Sequence, residues 1–147
     1  MKITVLLLSV IVLFIGGADI FKQMQKRISL DEIVRFVMYV RGELHYRSPD
    51  LESLFASAGK QNYSTITFGT YSADCGRFCD IDSKKDFNEF ISRLGTTDSD
   101  GQLKLCDEYY ERFSVRLSDL RLKEKSKVQT SAALSILASI CVLVLAF

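Results

Sequence analysis

Two uncharged apolar runs, one near each end, constrain this chain more than any other feature. Ile3 to Ala18 holds no charged residue in 16 positions, and Val128 to Phe147 holds none in 20. Crossing a hydrocarbon core of about 30 Å takes roughly 20 helical residues at about 1.5 Å each. The C-terminal run meets that length without a proline, and Ile20 and Phe21 extend the N-terminal run past Asp19. The pattern predicts a transmembrane helix over 1–21, a helical domain over 22–127 and a second transmembrane helix over 128–147. For the first run a cleaved secretory signal is the rival reading, because Gly16-Gly17-Ala18 suits the small residues that cleavage requires. For the second run the rival is a buried core helix, which in so small a domain would still need a polar stripe.

Charge fills the middle of the chain. All 18 acidic residues lie between Asp19 and Glu124, and every basic residue except Lys2 lies between Lys22 and Lys127. Lys22, Lys26 and Arg27 follow the first run, and Arg121, Lys123, Lys125 and Lys127 precede the second. Basic residues beside a span favour the cytoplasmic side, so both runs orient the middle toward the cytoplasm. Near anionic headgroups each such residue contributes on the order of 1 kcal/mol. A formal net charge of +1 argues against nucleic acid as the main partner, which calls for a basic face.

Apolar periodicity in the middle predicts helices. Ser29 and Glu32 have capping-box spacing, and Ile28 stands where a hydrophobic staple onto Ile33 would begin. Leu30, Ile33, Val37, Val40 and Leu44 then form one seam, which ends near Tyr46. A helix running unbroken from the first apolar run would disable that cap. Pro49 suits the first turn of a second helix with the stripe Leu51, Leu54, Phe55 and Ala58, and Gly59 is a plausible stop. Residues 60–82 have β-type composition around Tyr63 to Tyr71. One isolated hairpin is unexpected in a helical domain, so an irregular helix or loop is predicted there. Helix resumes near Ser83 with the face Phe87, Phe90, Ile91 and Leu94. Gly95 ends it, Thr97 or Asp98 caps the next, and Leu103, Cys106, Tyr110, Phe113, Leu117 and Leu120 make a further seam. The fold class expected is all-α, an antiparallel helical bundle flanked by the two spans.

Chemistry is sparse. His45 is the only histidine, which excludes a multi-histidine metal site within one chain and suits a surface position at the end of a seam. Cys75 and Cys79 are four apart in a loop, and zinc would need two further ligands. Cys106 fits an apolar seam instead. Asp74, Asp80, Asp82 and Asp86 lack the spacing, central Gly and closing Glu of a calcium loop. There is no phosphate-binding loop, dinucleotide Gly motif or nucleophile elbow. The expectation is a protein without enzymatic activity, cofactor or metal.

The layout resembles the stage III sporulation protein AB family of endospore-forming bacteria. The strongest pattern is similar to L-G-x-T-D-x-x-x-Q-x-K, here Leu94-Gly95-Thr96-Thr97-Asp98 followed by Gln102 and Lys104. A weaker match covers Glu43 to Leu51, with Tyr46, Pro49 and Leu51 in the matching places. Residues 60–82 depart from the family pattern and carry the Cys75 and Cys79 pair. The resemblance implies a membrane component of the mother cell–forespore channel, in the mother-cell membrane facing the forespore. It is similar to the inner-membrane platform protein of type II secretion. Implied partners are the ATPase stage III sporulation protein AA and other stage III sporulation membrane proteins; a homo-oligomer is left open. Gly95, Thr97, Asp98, Gln102 and Lys104 would then be a structural turn or a partner contact. Two alternatives stand beside this: a generic two-span membrane adaptor, and an exported, membrane-anchored module with a Cys75–Cys79 disulfide.

Overall fold

Among the described residues, four helices and one two-stranded sheet follow each other in the order α1 (Lys2–Tyr46), α2 (Leu51–Gly59), β1 (Ile66–Phe68), β2 (Ala73–Cys75), α3 (Ile81–Arg93) and α4 (Ser99–Ala146). The computed structural model describes the backbone of residues 2–47 and 49–146. It describes side chains over 21–130 apart from Ser48 and Val128, and beyond that those of Ala133, Leu134 and Leu137. The chain divides into two compact units, Met1–Met24 with Leu120–Phe147, and Gln25–Asp119. The second unit lies inside the 22–127 stretch that carries the charge. Among the described residues no helix is long and apolar enough to cross a membrane. The runs at 1–21 and 128–147, where transmembrane helices are expected, fall mostly on side chains outside the described ones.

Within Gln25–Asp119 the seam of α1 is buried along its length, at Leu30, Ile33, Val37, Val40 and Leu44. Phe36 joins it, fully buried, as the hub of an aromatic cluster. Its ring centroid lies 6.4 Å from Phe55 of α2, 6.1 Å from Tyr63, 5.4 Å from Phe68 of β1 and 5.9 Å from Phe87 of α3. Aromatic pairs at such spacings contribute beyond their buried area, so one residue of α1 ties three later elements to one core. α3 and α4 pack antiparallel: Phe90 meets Tyr109, while Asp86 and, earlier in α3, Ser83 reach Arg116. The α4 seam differs from the expected one. Tyr109 and Leu105 are buried with Cys106, Phe113 and Leu117, whereas Tyr110 is exposed and Leu103 and Leu120 only half-buried. Steps of 3 and 4 admit either tyrosine; Tyr109 lies on the side facing Phe90, and Arg112 covers its ring from 4.9 Å.

Three local expectations give way to packing. α1 runs straight through Ser29, so no capping box forms there. Pro49 stands outside α2, whose N-cap is Asp50, and the Ser53 hydroxyl donates to the Asp50 carboxylate at 2.7 Å. Gly59 is the last residue of α2 in ordinary helical geometry, since the C-cap Lys60 keeps φ −82°.

The largest departure lies within residues 60–82, where 66–75 form a β-hairpin in place of the expected loop or irregular helix. Ile66 pairs with Cys75, Thr67 with Asp74 and Phe68 with Ala73, antiparallel. A lone two-stranded hairpin is marginal in water. This one packs an inward face of Ile66, Ala73 and Cys75 onto the helices and leaves Thr67 and Asp74 in solvent. Lys84 of α3 holds Asp74 at 3.2 Å.

Candidate functional site

The turn between α3 and α4 carries the residues singled out from the sequence. Gly95 adopts φ +80°, the left-handed region where a Cβ is strained. A Cβ there would also stand 2.7 Å from Leu51 Cδ1. Glycine is therefore favoured by the backbone angle, and a Cβ would in addition press on the end of the Leu51 side chain. The chain then returns on itself: the Thr96 N–H and hydroxyl both donate to Arg93 O, at 3.3 and 2.7 Å.

Asp98 opens α4. Its Oδ1 accepts the Gly101 N–H at 3.0 Å, and its carbonyl accepts the Gln102 N–H at 2.9 Å. A side-chain oxygen bonded to the third helical N–H is the N-cap arrangement. Gly101 leaves room for it, because a Cβ there would lie 2.7 Å from that carboxylate oxygen. Gln102 is half-buried and its side-chain amide donates to Thr97 O at 2.9 Å. Four of the five motif residues thus build the turn: Gly95, Thr97, Asp98 and Gln102. Lys104 is exposed on the first turns of α4.

No family model, curated protein or solved structure matches this chain. Its functional residues are accordingly weighed on their own geometry.

The basic residues beside the apolar runs divide by environment. Lys22, Lys123, Lys125 and Lys127 are exposed, Arg121 is exposed, and Arg27 is half-buried. Lys26 faces Asp80 at 3.7 Å, an exposed pair of small energetic weight. His45 is exposed, its ring edge-on to Tyr46. The four aspartates do not converge: Asp74 meets Lys84, Asp80 is the N-cap of α3, Asp82 is exposed, and Asp86 lies 2.6 Å from Arg116 and 3.9 Å from Arg112. Among the described residues no group of three or more His, Cys, Asp or Glu could hold a metal ion.

Glu32, expected as the second member of a capping box with Ser29, instead forms a polar centre at the entry of the hairpin. Glu32 is 5 % exposed, and its carboxylate accepts four hydrogen bonds. Oε1 takes the Ser64 N–H at 2.8 Å and hydroxyl at 2.6 Å; Oε2 takes the Thr65 N–H at 2.7 Å and hydroxyl at 2.6 Å. Burial pushes this carboxyl up, but the bonds from Ser64 and Thr65 outweigh it and hold it below the usual carboxylate value. Thr65 O in turn accepts the Gly76 N–H at 2.7 Å. Glu32 therefore fixes the entry of the hairpin and, through Thr65, the loop after β2. The signal was present as a Ser-Thr pair and a glutamate beside the α1 seam, but the partners are 32 residues apart.

That loop places Cys75 and Cys79 together. Cys75 is wholly buried at the end of β2, and Cys79 is half-buried in a turn closed by its N–H to Gly76 O at 3.2 Å. Both are free thiols. The neighbouring Cys79 draws the Cys75 thiol below its ordinary value, while Cys75 and burial push Cys79 well above it. Cys106, alone in the α4 seam, is pushed up to about 12 by burial and stays a protonated core thiol.

Proposed function

We propose that this chain is a membrane-anchored docking component, held by its two apolar ends and presenting the Gln25–Asp119 unit to partners in the cytoplasm. Its place would be the mother cell–forespore channel, with the stage III sporulation ATPase and membrane subunits as partners. The observation that carries the reading is the division of labour in the Gly95-to-Lys104 segment. Gly95, Thr97, Asp98 and Gln102 shape a rigid corner, while Lys104 is exposed beside it. Exposed apolar residues on the other unit support the anchoring: Phe21, Met24, Leu122, Leu134 and Leu137 present a surface that lipid would cover. The basic residues Lys22, Lys123, Lys125 and Lys127 lie near it in sequence, where anionic headgroups would meet them.

The test is a charge reversal at Lys104. Lys104→Glu should leave the helical circular-dichroism melt unchanged, because exposed positions usually stay within about 0.5 kcal/mol. It should lower co-purification of the ATPase or membrane subunits from sporulating cells and reduce spore yield. Unchanged recovery and unchanged spore yield would count against this corner as the docking surface.

A further inference from the structure

One corner of the Gln25–Asp119 unit combines bare apolar side chains with positive charge. In the loop from β2 to α3, Phe78 is 47 % exposed, and Ile81, the first residue of α3, is 85 % exposed. Ile81 lines an open groove of about 600 Å³ together with Gly76, Arg77, Cys79, Lys84 and Lys85. Arginine and lysine line this groove, and no carboxylate among the described residues does. The nearby acids turn elsewhere: Asp80 faces Lys26 at 3.7 Å and Asp86 faces Arg116 at 2.6 Å. Asp74 meets the Lys84 ammonium from one side at 3.2 Å, and Asp82 is exposed to solvent. Arg77 and Lys85 are themselves exposed. The chain also enters and leaves the unit beside this corner. Lys26, next to the first residue Gln25, reaches Asp80, and Arg116, shortly before the last residue Asp119, reaches Ser83 and Asp86.

We propose that this groove seats the headgroup of an anionic phospholipid, with Phe78 and Ile81 entering the acyl boundary beside it. The inference rests on the membrane-anchored reading, in which both apolar runs join the unit at this corner in sequence. Apolar side chains beside basic ones settle at a bilayer interface, because lipid takes up the first while anionic headgroups meet the second. Arg77, Lys84 and Lys85 supply the positive charge, and Phe78 and Ile81 supply the apolar tip. A free phosphate would use the cations alone and leave both apolar side chains in water. A lipid surface uses all five residues at once. The contact would hold the unit in one orientation on the membrane, with the β2–α3 loop against the headgroups.

The chain contains no tryptophan, so one substitution creates a sole fluorescent reporter. Full-length Ile81→Trp is reconstituted into vesicles of phosphatidylcholine alone, and of phosphatidylcholine with phosphatidylglycerol, each with and without brominated acyl chains. In the mixed vesicles its emission should shift to shorter wavelength, and brominated lipid should quench it several-fold more strongly than in phosphatidylcholine alone. Tyr71→Trp, at the exposed tip on the opposite end of the hairpin, shows what a tryptophan does away from the groove and should stay unquenched in both. Adding Arg77→Glu and Lys85→Glu to Ile81→Trp should abolish the difference between the two lipids. Leu134→Trp, in the second apolar run, reports the anchoring separately. Quenching of Leu134→Trp without quenching of Ile81→Trp would overturn the headgroup seat and leave the anchoring intact. Equal quenching of Ile81→Trp in both lipids would overturn it as well. If Leu134→Trp itself escapes quenching, the anchoring reading fails and the seat fails with it.

Discussion

Glu32 holds Ser64 by two hydrogen bonds to a single carboxylate oxygen, the backbone N–H at 2.8 Å and the hydroxyl at 2.6 Å. The other oxygen does the same for Thr65. Four donors converge on a group that, when ionised, only accepts. An amide in its place would turn an N–H toward one pair of donors. Glu32→Gln should therefore destabilise the Gln25–Asp119 unit by about 1.5–3 kcal/mol, the range for hydrogen bonds to charged groups. The sign of the pH effect follows from the lowered carboxyl. Its stabilisation is fully present above the ordinary carboxylate range and is lost as pH falls through the lower folded value. Urea titrations at several acidic pH values should show a slope in the wild type that is smaller in Glu32→Gln.

Ser29 distinguishes the observed helix from the one its local sequence suggests. As the N-cap of a capping box, its replacement by alanine would cost about 0.5–2 kcal/mol. Here α1 continues through it, and its buried hydroxyl has no hydrogen-bond partner among the described residues. An unpaired buried hydroxyl carries a desolvation cost of about 1–3 kcal/mol. Ser29→Ala should thus be neutral or stabilising in a thermal melt, and a clear loss would mean that the helix starts at Ser29.

Gly95 and Asp98 should fail for different reasons. Gly95→Val places a β-branched residue at φ +80° and against Leu51, and should cost at least about 1–2 kcal/mol. Asp98→Ala removes only the cap and should cost about 0.5–2 kcal/mol. Denaturant midpoints for the two variants check both values, and Gly95→Ala should resemble Gly95→Val more than Asp98→Ala.

Phe36→Ala should be among the most damaging core changes, at about 3–5 kcal/mol. Its ring contacts rings from α2, β1 and α3, so its loss leaves a cavity shared by several elements. Near-ultraviolet circular dichroism, which reports the packing of aromatic rings, should change more for Phe36→Ala than for Phe113→Ala.

What could be read in advance was local and periodic. Leu30 to Leu44, then Phe87, Phe90 and Leu94, and the Gly95 stop lie within a few turns of their own sequence partners, and the structure buries or bends them as their spacing predicts, with Ile91 only half-buried. The hairpin was missed because its stability comes from Glu32 and the Phe36 cluster, far away in sequence, rather than from its two short strands. The capping box failed for the converse reason: a local signal at Ser29 was overridden by a helix continuing from its N-terminal side. Tyr109 and Tyr110 are adjacent and equally compatible with the α4 seam, and only the position of Phe90 selects between them. Gln102 is not part of the α4 seam, and its amide closes the turn onto Thr97, a contact that helical periodicity does not reveal.

The most direct test of the account is the side of the membrane on which the Gln25–Asp119 unit lies. The hairpin tip, with Thr70, Tyr71 and Ser72 exposed, accepts an inserted reporter away from the core. A reporter active only in the cytoplasm should work there, and one active only after export should be silent, because basic residues flank both apolar runs on that side. The reverse pair of activities would contradict a cytoplasm-facing docking unit.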